Sequence, residues 1–404
     1  MILRLAWRNI WRNRRRSIIV MVAIAIGLIS LALTDSIYNG VIIQMFRDQV
    51  GTHVGHLQIH RRGFNENKVV QNWLPDPDAV ERRLAADSLI SHFAKRVIAF
   101  GIVSSASNSS GITLVGVEPE RERLVTTIER SVSSGGYLQT GQRAILISRR
   151  MSEKLSVRLG DKLVVMATAL DGTVGTDVFR ICGLYETSSS EFDRMFVYIP
   201  LSYSQQLLGL GERVMEVTAV LRNPEDAYAL RDRLAPVLGP EFEVLSFAEL
   251  IPMMMQIITV AKQSMVIYYV IIGIATMFGI VNALLMSVFE RTRELGILMA
   301  TGMKNRNIVT MILMEAFFLS IIGTVIGLGI GIAISLLLAG PGINLSAFAE
   351  GLTMVGASSR IYPVVSLDGI INGLTVVPAI ALIAALYPAV RAIRLEPVRA
   401  IHYV

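Results

Sequence analysis

Hydrophobic positions along this 404-residue chain gather into four long runs without charge: Ser17–Thr34, Gln263–Phe289, the stretch beyond Glu315 through Ala349, and Gly369–Val390. As a helix, the 22 residues of the last run reach about 33 Å, against a hydrocarbon core of about 30 Å. The first run reaches only about 27 Å by the same rise and must borrow neighbouring residues to cross. The pattern predicts transmembrane helices at 17–38, 262–289, 308–340 and 367–390. Ahead of the first, MILRLAWRNIWRNRRR sets Arg4, Arg8 and Arg12 at four-residue spacing beside a stripe of Leu3, Trp7, Ile10 and Trp11. Residues 1–16 therefore read as an amphipathic helix at the membrane interface, tryptophans at headgroup level and arginines toward anionic lipid.

Between the first and second runs the texture changes. Residues 39–261 read as a large α/β domain inserted between helices 1 and 2. Apolar or alternating runs bounded by Gly, Asp or Asn predict strands at Val54–Ile59, Val97–Val103, Ile112–Val117, Ala144–Ile147, Lys162–Ala167, Val178–Tyr185, Met195–Ile199 and Val214–Leu221. Helices are predicted at Asp78–Ala86, Glu118–Ile128, Arg149–Leu155 and Pro224–Val237. Both ends of the domain must return to the membrane, so a subdomain built from the two ends is expected, with an insert at about 118–212. The remaining stretches are a segment at 290–307 that carries an amphipathic helix of mixed charge, ended by Gly302, a loop at 341–366 and a tail at 391–404.

Composition and charge sharpen this reading. The chain is 52% apolar, 17% charged and has a mean hydropathy of +0.54, too apolar for an ordinary soluble globule. Its net charge of +6 is not spread as a nucleic-acid surface would require. Thirteen Arg and Lys, among them Arg14, Arg15, Arg16, Arg293, Lys304, Arg306, Arg391, Arg394 and Arg399, lie in 1–16, 290–306 and 391–404. Only Glu290, Glu294 and Glu396 offset them, whereas 39–262 holds twenty-four basic and twenty-five acidic residues. The loop between the third and fourth spans carries Arg360 and Glu350. This asymmetry places both termini and the 290–307 loop in the cytoplasm and the inserted domain outside. The first run exceeds a signal-peptide core and no Ala-x-Ala-like site follows in Leu33–Gly40, so a retained anchor is expected.

Chemistry is sparse. No phosphate-cradling G-x-x-x-x-G-K-[ST] occurs, nor H-E-x-x-H, C-x-x-C or G-x-S-x-G. The single cysteine, Cys182, cannot form an internal disulfide and reads as a small buried hydrophobe. His53, His56 and His60 would share a face of a helix, but HVGHLQIH alternates like a strand, placing His56, Gln58 and His60 on a solvated polar face rather than at a metal. Asp35 and Asp368 fall near the outer ends of their spans. Glu315 lies about two turns into the third, near enough to the cytoplasmic face for its carboxylate to reach water, and a packing role is expected of it. Gly323, Gly327 and Gly331 form a small-xxx-small row for close helix packing. Pro378 and Pro388 are expected to mark kinks or the end of the fourth span. Met253, Met254 and Met255 follow Pro252 where the chain re-enters the membrane, and flexible thioethers there, with Gln44 on the outgoing side, suit adaptable contact with apolar cargo or packing beneath the domain.

Several stretches resemble the permease subunits of the ABC transporters that include the lipoprotein-releasing system, the MacB efflux pump and the FtsX division protein. ERTRELGILMATG (Glu290–Gly302) is similar to that family's cytoplasmic coupling segment. SRRMSEKLSVRLGDKLVV (Ser148–Val165) resembles its helix-to-strand element in the outer domain. GLYETSSSEFDRMFVYIPLSYSQQLL (Gly183–Leu208) and YNGVIIQMFRDQVGTHVGHLQI (Tyr38–Ile59) look most like the lipoprotein-releasing branch. The resemblance covers nearly the whole chain. It departs at Met299, where the family often carries a basic residue.

The resemblance implies that Glu290, Arg291, Glu294, Gly296, Ala300 and Gly302 enter or shape the groove of a partner ATPase dimer, which binds ATP and Mg; no cofactor is expected in this chain. It implies a second permease, identical or related, contact with membrane lipids, and a bacterial inner-membrane location. ATP-driven closure of the ATPases is then passed through the spans to the outer domains. The implied function is release of lipoproteins or similar lipidated cargo from the outer leaflet. The alternatives are MacB-like export of peptides, toxins or antibiotics with a periplasmic adaptor, or an FtsX-like signalling scaffold without transport.

Overall fold

Local sequence sets the ends of most elements. The computed structural model describes residues 2–12, 14–345 and 360–394. Glu350, Glu396 and Arg399, which entered the charge asymmetry, lie outside the described residues, as do most of the 341–366 loop and of the 391–404 tail. The described helices are α1 (Ile2–Arg12), α2 (Arg14–Gln49), α3 (Pro77–Ala85), α4 (Pro119–Val125), α5 (Arg149–Leu155), α6 (Ser190–Met195), α7 (Leu201–Leu208), α8 (Ala227–Leu238), α9 (Phe247–Leu250), α10 (Pro252–Glu290), α11 (Thr292–Ala300), α12 (Asn305–Ala339) and α13 (Leu367–Ile393). The strands are β1 (Leu57–Arg61), β2 (Ile90–Ser104), β3 (Ser109–Val117), β4 (Val132–Gly135), β5 (Ala144–Ser148), β6 (Lys162–Thr168), β7 (Val174–Tyr185), β8 (Phe196–Pro200), β9 (Glu216–Leu221), β10 (Phe242–Ser246), β11 (Ile343–Asn344) and β12 (Arg360–Ile361).

Among the described residues, four helices, α2, α10, α12 and α13, are long and apolar enough to cross a membrane. Most of their length belongs to one compact unit, which among the described residues comprises the chain up to Ile42, Ile257–Asn344 and 360–394. Its core joins Ile24 and Leu28 of α2, Ile280 and Leu284 of α10, Leu319 of α12, and Ala381 and Ala385 of α13. The glycine row of α12 lies against α2. A Cβ on Gly327 would come within 2.8 Å of the Ala25 backbone, one on Gly323 within 2.9 Å of Ile24, and one on Gly331 within 2.7 Å of Ala32. Pro378 and Pro388 are both buried, and α13 runs past them to Ile393 rather than ending there.

Two helices overrun the predicted boundaries by ten residues or more. The first span's helix continues eleven residues beyond Tyr38 to Gln49, then passes into a π-turn at Val50–Val54. The helix of the second span starts at Pro252, ten residues before 262. In α1 the predicted apolar stripe divides: Ile10 is fully buried with Ala6, while Leu3, Trp7 and Trp11 stay exposed. Trp7 still meets Phe318 of α12 edge-on at 5.5 Å between ring centroids.

The second unit, Ile43–Gln256 among the described residues, is an α/β domain on a ten-stranded sheet. Strand order is β10-β1-β9-β2-β3-β8-β5-β7-β4, with β6 pairing both β2 and β7. The pairs β3–β8 and β5–β7 are parallel; the others are antiparallel. Both ends of the domain build one core around Leu57, Ile59, Val97, Val217 and Leu230. The middle builds a second, around Ile145, Met151, Leu163, Phe179 and Val197. Strands β4 and β10 and helices α6, α7 and α9 are not among the predicted elements; each is only four to eight residues long, too short to establish a period.

Side-chain caps fix the helix starts. Asp76 accepts from the Ala79 amide at 2.9 Å ahead of Pro77, and Ser148 accepts from Met151 at 3.0 Å. Ser246 and Glu249 form a capping box on α9.

Candidate functional site

The charged helix predicted after the second span is α11, Thr292–Ala300. Its polarity splits by side: Glu290, Arg293, Glu294, Ile297, Ala300 and Gly302 are exposed, whereas Arg291, Thr292, Leu295 and Gly296 are buried. The buried side joins a cluster with Ala6 of α1, Val288 of α10, Ile308 and Ile312 of α12, and Ala389 of α13. The helix stops because Gly302 takes φ +93°, a conformation that only glycine adopts without strain, while the Met303 amide returns to the Leu298 carbonyl at 3.0 Å.

Two of the predicted partner-facing residues therefore turn inward. Gly296 packs into the bundle and can shape the surface only from beneath. Arg291 is 6% exposed and sits in the turn between α10 and α11. Its guanidinium donates to the Asn9 carbonyl of α1 at 3.0 Å and pairs with Glu315 of α12 at 3.4 Å. Glu315 does not reach water: it is 2% exposed. An ionised carboxylate among apolar helices needs a cation or a strong donor, and Arg291 supplies both. The sequence signal for this pairing was the lone acid in an apolar span. On the outer side of α11, Glu294 pairs with Arg12 of α1. Met299 packs partly into the same cluster.

Near the predicted outer ends of the spans, Asp35 of α2 accepts from Tyr269 of α10 at 2.7 Å, from Ser366 at 2.8 Å and from Asn39 at 3.0 Å. Ser366 also caps α13, accepting from Gly369 at 3.0 Å. Asp35, Tyr269 and Ser366 line a cavity of about 260 Å³ whose other walls are mostly apolar, including Leu31, Ile272, Leu328 and Val377, with Ser36, Thr276 and Asn372 among them. Asp368, by contrast, is exposed.

In the outer domain the histidines do not line a solvated face. Gln58 is 5% and His60 1% exposed, because β1 is an interior strand covered on both faces. The polar side of β1 faces a buried charge cluster. Arg96 holds Glu122 at 2.7 Å and Glu216 at 2.8 Å, and donates to the His53 carbonyl of the π-turn at 2.6 Å. His60 lies 3.4 Å from Glu216. Burial alone raises the Glu216 carboxyl, but the His60 hydrogen bond and the Arg96 charge outweigh it and hold it well below the usual range. His56 accepts from the Leu221 amide at 2.9 Å, and burial holds its imidazole below the usual value. Burial also pushes the Cys182 thiol up to about 11, leaving it a protonated, weakly nucleophilic group. Beside the charge cluster is a cavity of about 370 Å³ walled by Phe100, Phe192, Met195, Phe196 and Asp48, which no sequence pattern marked.

Of the suggested cargo contacts, Met253 is 75% exposed and Gln44 partly so. Met254 is 5% exposed, which removes it as a direct contact, and Met255 packs against the domain core.

Comparison with known proteins extends these observations. Residues 17–237 match the MacB-like periplasmic core domain, and residues 266–397 match the FtsX-like permease C-terminal domain. The chain is similar to the lipoprotein-releasing system transmembrane protein LolC of Neisseria meningitidis serogroup B, at 24% identity over 97% of this chain and 96% of that protein. It is similar to the corresponding LolE of Haemophilus influenzae, at 22% over 97% of each. The macrolide export ATP-binding/permease protein MacB of Syntrophobacter fumaroxidans matches at 29% over 46% of this chain and 24% of that protein.

Proposed function

The chain belongs to the family of FtsX-like permeases with a MacB-like periplasmic core domain, and from that premise we propose that it is the permease of an ATP-driven transporter that releases lipoproteins or similar lipidated cargo from the outer leaflet. It is a multi-pass inner-membrane protein of a family whose permeases work with an ATPase subunit. In this reading both termini and α11 face the cytoplasm, and two permeases, identical or related, stand over two ATPases that bind ATP and Mg. The exposed side of α11, with Glu290, Glu294, Ala300 and Gly302, enters the ATPase groove. Closure of the ATPases moves α11, and α2 and α10 carry the movement toward the domain.

The observation that carries the cargo assignment is the similarity, over 97% of this chain, to two lipoprotein-releasing permeases. A second reading, export of a peptide or small molecule, is favoured by the match to the macrolide exporter. The test is reconstitution of the permease with its ATPase in vesicles that carry an acylated lipoprotein and, separately, its unacylated form. ATP-dependent release of the acylated form alone is expected. Equal handling of both forms removes the lipid from the assignment and favours export.

A further inference from the structure

Arg291 makes three parts of the bundle meet. It occupies the turn between α10 and α11, its guanidinium is buried, and it bonds to Glu315 of α12 and to the Asn9 carbonyl of α1. Asn9 lies in the last turn of α1, where helix carbonyls need donors from outside and a cation is favoured by the helix dipole. Its neighbour Ile10 has its carbonyl capped in turn by the Ser17 hydroxyl at 2.7 Å, where Ser17 is 1% exposed. The C-terminal end of α1 is thus capped from two directions, and one cap belongs to the hinge of α11, 282 residues away in sequence. Asn9 further places its amide 3.8 Å from the Met311 sulfur of α12.

A second tie differs in kind. Arg12 of α1 pairs with Glu294 of α11 with side chains 46% and 54% exposed. An exposed pair contributes little and exchanges partners readily, whereas a buried pair cannot be opened without stranding a charge.

We infer that α1 is part of the coupling device: Arg291 fastens it to α11, so that displacement of α11 is delivered to the first span through α1 as well as to the second and third spans directly. Arg291 is a positioning residue here, acting through the Asn9 carbonyl and Glu315 rather than by touching the ATPase. The outer pair plays the opposite part. Glu294 is held by Arg12 in the permease alone and exchanges that partner for the ATPase groove, while the Arg291 junction stays closed. This rests on the reading of α11 as the ATPase-facing helix.

The experiment uses the full permease with its ATPase in vesicles. Arg291→Met with Glu315→Met removes the buried charges together and so leaves neither unpaired. Cargo released per ATP hydrolysed is expected to fall about tenfold, with the ATPase still bound; an unchanged ratio overturns the inference. Arg291→Lys decides the matter if that double variant does not insert: it keeps the charge beside Glu315 but lacks the fork that reaches both Glu315 and the Asn9 carbonyl. Its release per ATP is expected to fall several-fold, and a wild-type ratio overturns the inference. The underlying reading of α11 fails separately: Glu294→Lys then leaves ATPase binding and cargo release at wild-type levels.

Discussion

Tyr269 on the second span donates a 2.7 Å hydrogen bond to Asp35 on the first, and Ser366, which caps the fourth, donates to the same carboxylate at 2.8 Å. One acid therefore ties together the same ends of three spans. Replacing Asp35 by Leu leaves the Tyr269 and Ser366 hydroxyls without their acceptor in an apolar setting. A buried polar group stripped of its partner costs about 1–3 kcal/mol, so Asp35→Leu is expected to lower the unfolding temperature of the purified permease in detergent. Asp35→Asn, which keeps one acceptor oxygen, is expected to cost less. Equal stability of Asp35→Leu and wild type would show that the cluster is not structural.

The glycines of α12 offer a contrast within one turn. A Cβ on Gly327 meets Ala25 backbone atoms at 2.8 Å, whereas a Cβ on Gly329 meets nothing within 4 Å. Gly327→Ala must push the two helices apart and is expected to destabilise by about 1–3 kcal/mol. Gly329→Ala gains helix propensity and is expected to stabilise by about 0.5–1 kcal/mol. Thermal unfolding of both variants in the same detergent measures the difference.

How far these features could be read in the sequence depends on what fixes them. The spans were legible because hydropathy is local, and strands such as Ala144–Ser148 because a bounded apolar run is local too. The overrun of α2 was not. A helix ends where a cap or a left-handed residue ends it, and none occurs until Gly55 at φ +69°, while Asn39, which looked like a boundary, bonds back to the Asp35 carbonyl at 2.9 Å. The Arg96 cluster was illegible for a different reason. Its partners lie 26 and 120 residues away, and nothing near Arg96, Glu122 or Glu216 distinguishes them from surface charges. In the 290–302 segment the pattern marked the right helix, but motif likeness cannot say which side a residue faces. Arg291 and Glu294, three residues apart, face opposite ways.

Arg96 is fully buried between two carboxylates. Arg96→Met strands both acids and is expected to cost about 3–5 kcal/mol, enough to unfold the outer domain at growth temperature. The pH dependence at this cluster follows from the depressed Glu216 carboxyl. A depressed acid contributes stability that is fully present above its unfolded value, near 4.5, and is lost only as pH falls toward the lower folded value. Between pH 7 and 5 the contribution should be flat.

Asp193 behaves in the opposite sense. Burial pushes its carboxyl up to about 6, against the opposing hydrogen bonds from Thr187. Ionisation of a raised acid opposes folding, so the wild-type protein gains stability as pH falls from about 6 toward 4. Asp193→Asn cannot titrate. The difference in unfolding free energy between the two should therefore shift in favour of wild type by on the order of 1–2 kcal/mol over that window. A constant difference from pH 7 to 4 would show that Asp193 is not held in this state.

Orientation is tested by two exposed positions. Asn67 lies in the outer domain and Asn305 at the start of α12, and both are solvent-accessible. With Cys182→Ser as background, Asn67→Cys is expected to react with a membrane-impermeant maleimide in intact spheroplasts. Asn305→Cys is expected to react only after the membrane is opened. The reverse pattern would invert the assignment of α11 to the cytoplasm and with it the coupling scheme.

Cargo contact is expected at Met253 and not at its neighbour. Met253 is 75% exposed at the start of α10, where the chain enters the second span, and Met254 is 5% exposed. A thioether is flexible and polarizable, so an exposed one at this position suits acyl chains of varied length. The neighbouring buried side chain supplies an internal control, because both positions share one helix turn and one depth along it. A photocrosslinking residue at Met253 should capture acylated lipoprotein in the nucleotide-free complex, lose it when ATP is trapped, and capture the unacylated form poorly. The same residue at Met254 should capture little, since nothing outside the chain reaches that side chain as it stands. Capture at Met254 equal to that at Met253 would mean that the start of α10 rearranges on binding. Absence of capture at both would place the cargo elsewhere on the membrane-facing surface. Equal capture of acylated and unacylated forms at Met253 would keep the contact but remove the lipid from recognition, leaving export as the better account of what the ATP-driven movement is for.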